Sequence, residues 1–177
     1  MRVALTGTPG TGKTTIADRL ETDLDTVHLN DAIREEDLTE SVDEERDSLV
    51  ADLGAVEAWL DDYEAEHGDL LVESHLAHLF DADRVVVLRC DPSELERRLA
   101  DRGESEAKAR ENAESEALDV VLSEAVERHG EERVYEVVTT DRDPDAVARD
   151  VEAVIAGERE PSAGTVDYTD WLMGGRE

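Results

Sequence analysis

The fold of this chain is decided by residues 7–14, GTPGTGKT. They follow the apolar run VAL at residues 3–5 and precede a segment whose apolar residues are spaced as in a helix, so we expect a strand, a tight loop and a helix in that order. The pattern G-x-x-x-x-G-K-[ST] is that of the phosphate-binding P-loop. Its glycines let consecutive backbone N–H groups turn inward around phosphate oxygens, and the helix N-terminus adds a positive dipole end. The stretch therefore predicts a nucleoside triphosphate site.

Two side chains of the loop add chemistry to its backbone. Lys13 can reach the β- and γ-phosphates as a point charge, and the hydroxyl of Thr14 can ligate a nucleotide-bound Mg²⁺. The chain has only two lysines, Lys13 and Lys108, against sixteen arginines, which makes a lysine at this position informative. We therefore expect Mg²⁺ as the cofactor, bound together with the triphosphate.

The acidity of the chain limits its partners. Its 177 residues include 48 Asp and Glu against 18 Lys and Arg, a formal net charge of −30. Such a surface repels nucleic acid and anionic membranes, so we expect neither sequence-specific nucleic acid binding nor membrane attachment. The acids run through every segment, which is typical of a protein from a salt-rich cytoplasm, where the Debye length is about 3 Å at molar salt. Intrinsic disorder is the competing interpretation, and our prediction is a fold that needs high salt.

The length of the chain and its cysteine content limit the possible architectures. One domain is expected at this length, large enough to bury a core. The chain enters a strand directly, without the pattern of a signal peptide or a transmembrane span, so we expect a cytoplasmic protein. The single cysteine, Cys90, ends an apolar run and excludes an intramolecular disulfide.

Apolar runs and helical spacings alternate along the chain. Strands are expected at residues 2–6, 27–29, 70–72, 85–88 and 134–139. Helices are expected at 14–24, around 32–34 with Asn30 or Asp31 as the cap, 45–66, from 91 through 99, from 117 to near 130, and 147–155. A polar segment from 101 to about 112, with few core residues, is a candidate lid. The alternation predicts an α/β fold of the P-loop NTPase type, a three-layer αβα sandwich around a five-stranded parallel sheet.

A P-loop by itself does not choose between a GTPase, a motor, a small-molecule kinase and an assembly ATPase. The guanine-reading pattern N-K-x-D is absent, because neither lysine is followed two positions later by Asp. The length argues against a large motor. A small kinase-like fold remains, with inserts after the second strand and after the helix that follows the fourth strand. Both inserts carry arginines, which suit phosphate recognition.

Four segments of the chain resemble one known family. They are the P-loop from 7 to 15, LNDAIREE at 29–36, VESH at 72–75, and Arg102-Gly103 followed by Glu106, Lys108, Asn112 and Glu116. Together they resemble the small archaeal and eukaryotic adenylate kinase family, similar to the eukaryotic nuclear isoenzyme (isoenzyme-6-like), whose members also take part in small-ribosomal-subunit maturation. The resemblance runs from the first strand to about Ala125.

The resemblance implies a division of the chain and a site for ATP. Residues 1–157 would form the kinase domain, with a monophosphate-binding (NMP-binding) insert at about 30–52 and a short lid at about 102–112, and residues 158–177 an irregular tail. The ATP phosphates would be held by Gly10, Thr11, Gly12, Lys13, Thr14, Thr15 and Arg102. Arg102 would also neutralise charge that builds up during transfer. The alternative for Arg102 is a solvated surface arginine.

For the acceptor nucleotide, the resemblance implies a site that includes Asn30, Asp31 and Arg34. Arg34 would meet the acceptor's phosphate with two parallel hydrogen bonds. The alternative is that Arg34 and the acids beside it form an ordinary exposed, ion-paired helix.

The end of the third strand departs from the family pattern. Many relatives have two Asp residues around a His there, whereas this chain has Glu73, His75 and His78. Glu73 can still bind Mg²⁺ directly or through water, and His75 is a candidate catalytic residue, with a structural histidine as the alternative. The spacing of His75 and His78 does not indicate zinc, since no further ligand cluster completes the site.

The sequence therefore predicts two functions that can coexist. The first is an adenylate kinase or broad-specificity nucleoside monophosphate kinase, which transfers phosphoryl reversibly from Mg·ATP to AMP and has ATPase activity. The second is an ATP-dependent assembly factor for the small (30S) ribosomal subunit and rRNA processing, which binds a small-subunit ribosomal protein or the pre-30S particle. The tail would be either a docked terminal segment or an anchor for that partner.

Overall fold

The computed structural model describes residues 1–43 and 48–174. Its strands, in chain order, are β1 (Arg2–Thr6), β2 (Asp25–His28), β3 (Thr39–Asp43), β4 (Ser48–Ala51), β5 (Leu70–Glu73), β6 (Arg84–Arg89) and β7 (Val134–Val138). Its helices are α1 (Lys13–Ala17), α2 (Leu29–Glu35), α3 (Leu53–His67), α4 (Pro92–Asp101), α5 (Glu106–Ala117), α6 (Val120–His129), α7 (Pro144–Ile155) and α8 (Thr169–Gly174). Within the described ranges, no helix is both long and apolar enough to cross a membrane.

The main sheet has five parallel strands in the order β2-β5-β1-β6-β7. Successive residues of the central strand β1 face opposite sides: Val3 and Leu5 pack with residues of α1 and α7, and Ala4 packs with residues of α2, α3 and α6. Because both faces are covered, β1 reads as a continuous apolar run rather than an alternating one. The predicted three-layer α/β sandwich with five parallel strands is confirmed.

The order of the strands places the candidate site. The connection from β1 runs to β2 at one edge of the sheet, whereas the connection from β5 to β6 crosses β1 toward the other edge, and β5 and β6 lie on either side of β1. Ligands of open α/β sheets bind beyond the carboxyl ends of the strands at such a switch point. The P-loop leaves β1 at this point, and Glu73 ends the neighbouring strand β5.

Two helix starts follow the sequence signals. Asp91 caps α4 by accepting hydrogen bonds from the backbone N–H groups of Ser93 and Glu94, with Pro92 in the first turn. Asp143 caps α7 in the same way ahead of Pro144. An Asp followed by Pro begins a helix well because the carboxylate satisfies a free N–H group and proline has none to lose.

The long helix predicted at 45–66 is wrong in its first part. Leu49 lies in β4, which pairs with β3 as an antiparallel hairpin, and α3 begins only at Leu53. The carboxylate of Asp52 accepts a hydrogen bond from the N–H group of Ala55, and this cap begins the helix at that point. Residues 45–47 of the predicted helix lie outside the described residues. The apolar spacing alone did not separate a short strand from a helix.

Two further local expectations, on a helix cap and on a helix end, differ from the structure. The predicted caps Asn30 and Asp31 lie inside α2, whose N-cap is His28 without a side-chain capping bond. The first helix ends at Ala17 rather than near residue 24. The chain continues with backbone hydrogen bonds that span three residues instead of four, from Arg19 to Ile16 and from Leu20 to Ala17, and these no longer form an α-helix.

The candidate lid is mostly helical. Ser105 caps α5 by accepting a hydrogen bond from the N–H group of Lys108, and Ala109 is buried against Leu95 and Leu99 of α4. Alanine allows the two helices to approach closely, and its small size made this segment look as though it had no core residues. The tail, expected to be irregular, contains the short helix α8 and contacts the helices: Trp171 Nε1 donates to Ser93 Oγ at 2.8 Å.

Candidate nucleotide site

The P-loop has backbone conformations that glycine adopts easily. Gly7, Gly10 and Gly12 have φ values of 147°, 93° and 103°, in the region that L side chains rarely enter. A Cβ atom on Gly7 would lie 2.7 Å from the carbonyl oxygen of Leu88. The loop is therefore pressed against the end of β6, and its path depends on the absence of that atom.

Lys13 lies in the concave side of the loop. Its side chain is buried, and Nζ donates to the carbonyl oxygens of Gly7 at 2.9 Å and Thr8 at 3.2 Å. Burial lowers the pKa of Lys13 to about 8, an effect opposed by the negative charges of Glu73 and Glu116. The ammonium group is thus held where phosphate oxygens can replace two carbonyl groups as its acceptors.

Two threonines of the loop differ in their role. Thr11 is buried, and its hydroxyl donates to the carbonyl oxygen of Thr8 at 2.8 Å, which braces the loop. Thr15 is exposed in the first turn of α1. The first supports the shape of the loop, and the second presents a hydroxyl and an N–H group at the helix N-terminus.

The structure brings Thr14 and Glu73 together, as the sequence predicts. Thr14 Oγ1 lies 3.4 Å from Glu73 Oε1, at the carboxyl end of β5. The other carboxylate oxygen, Oε2, is 2.9 Å from His28 Nδ1. A hydroxyl and a fixed carboxylate are the hard oxygen ligands that Mg²⁺ prefers, so these two residues fit a nucleotide-bound Mg²⁺. Within the described ranges, no group of three or more His, Cys, Asp or Glu residues forms a metal cluster on its own.

His28 was missed by the sequence reasoning. It ends β2, which is paired with β5 so that His28 is in register with Glu73. The signal that could have found it is the convergence of the carboxyl ends of parallel strands. Its ring orients the carboxylate that faces Thr14.

His75 and His78 have different environments. His75 is half-buried, and burial together with the charge of Lys13 lowers its pKa to about 4, so the ring is neutral near pH 7. The ring of His78 faces away from Glu73, because its Nδ1 is 2.8 Å from the hydroxyl of Thr6 and its Nε2 is 2.8 Å from Glu124 Oε2.

Arg102 and the acceptor residues are exposed. Arg102 follows α4, and its positive charge contributes to the lowered pKa of Lys13, which places it within electrostatic reach of the P-loop. Arg34 lies on α2, where its Nη1 is 3.5 Å from Asp31 Oδ1 of the same helix. Asn30 Oδ1 accepts a hydrogen bond from Ser74 Oγ at 2.8 Å, next to Glu73. The exposed ion pair of Arg34 is present, and its predicted role toward a phosphate stays a prediction.

A buried carboxylate joins the P-loop from the other side. Glu116 Oε2 accepts a hydrogen bond from the hydroxyl of Thr8 at 2.6 Å, and Glu116 Oε1 is 2.9 Å from Arg89 Nε. Glu116 is part of the sequence pattern that carries the family resemblance, but no role was predicted for it. A glutamate in a helix rich in exposed acids gave no signal of burial.

The parallel sheet, the glycine loop with its buried lysine and the carboxylate at the end of the neighbouring strand define a P-loop kinase fold. A shikimate kinase structure from Bacteroides thetaiotaomicron shares this fold, with a TM-score of 0.57 at 14% identity over 88% of this chain and 98% of that one. A family model described as an AAA domain matches residues 3–119.

Relatives in sequence are more specific. Proteins named "Putative adenylate kinase" from Natronomonas pharaonis and Halobacterium salinarum are 66% and 60% identical to this chain, over 97% of it and 100% of their own length. One from Methanothermobacter thermautotrophicus is 43% identical over 97% of this chain and 99% of its own. The chain belongs to this adenylate-kinase-like family of P-loop proteins. The family resemblance predicted from the sequence is confirmed at this level, and the narrower likeness to the isoenzyme-6 group stays a prediction.

Proposed function

We propose that this protein is a nucleoside monophosphate kinase that transfers the γ-phosphoryl group reversibly from Mg·ATP to AMP or a related monophosphate in the cytoplasm. The observation that carries the proposal is the buried ammonium group of Lys13, held inside the glycine loop beside the Thr14–Glu73 pair. The names of the relatives support the same class of reaction.

The reaction needs alignment and charge stabilisation rather than a covalent intermediate. The loop N–H groups and Lys13 would hold the β- and γ-phosphates, and Arg102 would approach the same phosphates from the end of α4. Thr14 and Glu73 would hold Mg²⁺, which, when bound, offsets negative charge on the phosphate oxygens. His28 would keep Glu73 turned toward that position through its hydrogen bond.

The acceptor would bind beyond α2, where Arg34 would meet its phosphate and Asn30 would border the pocket. The carboxyl ends of β2 and β5 lie between this helix and the P-loop, so an acceptor at α2 faces the γ-phosphate across Glu73. His75, which is neutral, would act as a polar neighbour of the transferred group rather than as a charged one. Incomplete exclusion of water would give ATPase activity as a side reaction.

The experiment is a phosphoryl-acceptor screen with purified protein in high salt. AMP, GMP, CMP, UMP and water are supplied in turn with Mg·ATP, and nucleoside diphosphate formation is separated from phosphate release by chromatography. We expect ADP to form fastest from ATP and AMP, with slow hydrolysis when no acceptor is present. Phosphate release that no monophosphate accelerates or diverts into a diphosphate product would contradict the proposal.

A second candidate function, ATP-dependent assembly of the small ribosomal subunit, is favoured by the acidic surface. A net charge of −30 can attract a basic ribosomal protein in place of RNA. A pull-down in high salt, with and without ATP, tests this role. The assembly role is supported if a small-subunit ribosomal protein is retained and the amount retained changes with ATP. The role is excluded if no ribosomal protein is retained with or without ATP. The alternative is that the acidity serves only salt adaptation.

A further inference from the structure

The strongest feature outside the transfer site is a buried charge cluster at Arg89, on β6. The guanidinium is 1% exposed and contacts three carboxylates: those of Glu116, Asp119 and Glu136. Glu116 and Glu136 are 3% and 0% exposed, whereas Asp119 is 29% exposed. The cluster therefore buries more negative than positive charge, which is costly unless other donors compensate it.

The compensating donors come from two distant parts of the chain. Glu116 accepts hydrogen bonds from the hydroxyl of Thr8, in the P-loop, and from the N–H group of Cys90. Glu136 accepts at 2.7 Å from the N–H group of Thr165, in the tail. The excess negative charge of the cluster is thus bonded to the P-loop through Thr8 and to the tail through Thr165.

The tail makes a second contact with the same cluster. The ring of Tyr168 lies 5.5 Å from the guanidinium carbon of Arg89, within the range of a cation–π interaction. Further along, the ring of Trp171 lies 4.3 Å from the guanidinium carbon of Arg110, on α5. Because Glu116 is also on α5, the tail holds both the helix and the cluster to which that helix contributes.

We propose that Glu116 is a positioning residue of the nucleotide site, which fixes the P-loop through Thr8 and links it through Arg89 and Glu136 to the tail. The geometry carries this assignment: Thr8 lies between Gly7 and Gly10, two of the glycines that set the curvature of the loop. The inference rests on triphosphate binding by the loop, which is part of the proposed function. It does not depend on the identity of the acceptor.

A purely structural role would predict a different result. If Glu116 only stabilised the fold, its loss would lower the free energy of unfolding and leave ATP affinity unchanged in the protein that remains folded. A positioning role requires that affinity for ATP changes in folded protein and that the change passes through the hydroxyl of Thr8. The dissociation constant of ATP, measured by calorimetry without an acceptor, separates the two.

The variants are chosen in matched pairs. Thr8→Val keeps the shape of the side chain and removes the hydroxyl, whereas Thr8→Ser keeps the hydroxyl. Glu116→Gln removes the central charge, and Glu111→Gln removes an exposed charge from the same helix at a position outside the described contacts of the tail. Thr8→Val leaves Glu116, and hence its charge near Lys13, in place, so it tests the hydrogen bond alone. Tyr168→Leu and Tyr168→Phe test the tail, since only the phenylalanine keeps a ring over Arg89.

We expect Thr8→Val and Glu116→Gln each to weaken ATP binding about ten-fold, because each removes the charge-assisted hydrogen bond between the Thr8 hydroxyl and the Glu116 carboxylate. The double variant should be no weaker than the weaker single one, since both act through one contact. Thr8→Ser should retain most of the affinity, Glu111→Gln should match the original protein, and KM for the acceptor should not change. Tyr168→Leu should weaken binding about 3-fold and Tyr168→Phe much less.

Affinity for ATP that is equal in Thr8→Val and Thr8→Ser would overturn the proposal, as would losses that simply add in the double variant. If Glu116→Gln does not fold, the pair at Thr8 decides by itself. An original protein that binds ATP but phosphorylates no acceptor contradicts the proposed function and leaves this inference standing. Normal phosphoryl transfer with unchanged ATP affinity in Thr8→Val contradicts the inference and leaves the function standing.

Discussion

The P-loop, which is the proposed donor side of the site, and α2, the proposed acceptor side, are built in different ways. Around the P-loop, Thr8, Thr11 and Lys13 are buried and bonded to backbone or to a buried side chain, and the loop contains glycines with positive φ. On α2, Arg34 is 65% exposed and contacts an exposed acid one turn away. The loop of the proposed donor side is preorganised before any ligand arrives, whereas the arginine of the proposed acceptor side is an exposed side chain that a phosphate would have to order.

This difference predicts that the affinities for the two proposed substrates have different physical origins. A preformed cradle gives tight phosphate binding without much loss of conformational entropy on binding. In the proposed acceptor site, the exposed side chain of Arg34 would lose its conformational freedom only on binding the acceptor's phosphate. We therefore expect changes on the donor side to affect both the fold and the chemistry, and changes on α2 to affect only the acceptor.

The largest effect is expected from Lys13→Ala. It removes the buried cation that we propose neutralises the transferred phosphate, and we expect kcat/KM to fall about 1,000-fold, as for the loss of a preorganised donor. A coupled assay for ADP formation in high salt measures it. Arg19→Ala, an exposed cation paired with Asp145 just after α1, serves as the control. A Lys13→Ala enzyme with normal turnover would remove the basis for the donor side.

The next largest effect is expected in stability, from two glycines of the loop. Gly7→Ala places a Cβ atom 2.7 Å from a backbone oxygen, whereas a Cβ on Gly12 has no neighbour within 4 Å and faces only the strain of positive φ. We expect the free energy of unfolding to fall by about 3 kcal/mol for Gly7→Ala and about 1 kcal/mol for Gly12→Ala. Denaturant titration in high salt measures both. Equal losses would mean that the loop is not pressed against β6.

A smaller effect, limited to one substrate, is expected from Arg34→Ala. Loss of a charge-assisted contact to phosphate should raise KM for AMP about 10- to 100-fold. KM for ATP should not change, and stability should stay within about 0.5 kcal/mol because the pair with Asp31 is exposed. Arg34→Lys should be intermediate, since a lysine keeps the charge without the two-pronged geometry. An unchanged KM for AMP would assign Arg34 to an ordinary exposed ion pair.

The smallest effect is a pH dependence from His78, which supports the P-loop through Thr6. Burial lowers the pKa of His78 although Glu124 opposes the shift, and the neutral ring can accept from Thr6 while it donates to Glu124. A histidine whose pKa is lowered by folding makes its full contribution to the free energy of unfolding above its pKa in the unfolded chain, about 6.5. That contribution is lost as the pH falls below this value. We expect a smaller decline in unfolding free energy between pH 7 and pH 5 in His78→Gln than in the original protein, with urea titration at each pH as the measurement.

Much of the fold was predictable because its signals are local. The five strands of the main sheet were found from short apolar runs, and the start of α4 from its Asp-Pro pair; α7 was found from helical spacing, but its start at Pro144 was not. The hairpin before Asp52 was not found, because its apolar residues fit a helical period as well as a strand. The helix α5 was not found within the candidate lid, because alanines bury little surface and give a weak signal, although Ala109 and Ala113 are buried; the role of this segment as a lid stays a prediction.

Sequence alone determined the P-loop of this protein, with Lys13 and Thr14 in place, because a turn of glycines between a strand and a helix is specified within eight residues. It also determined the acidic surface, since charge is a property of composition. Only the tertiary structure decided that His28 holds Glu73, 45 residues away, and that Glu116 meets Thr8 across 108 residues. Such contacts depend on strand order and helix packing, which bring together side chains that no spacing along the chain connects.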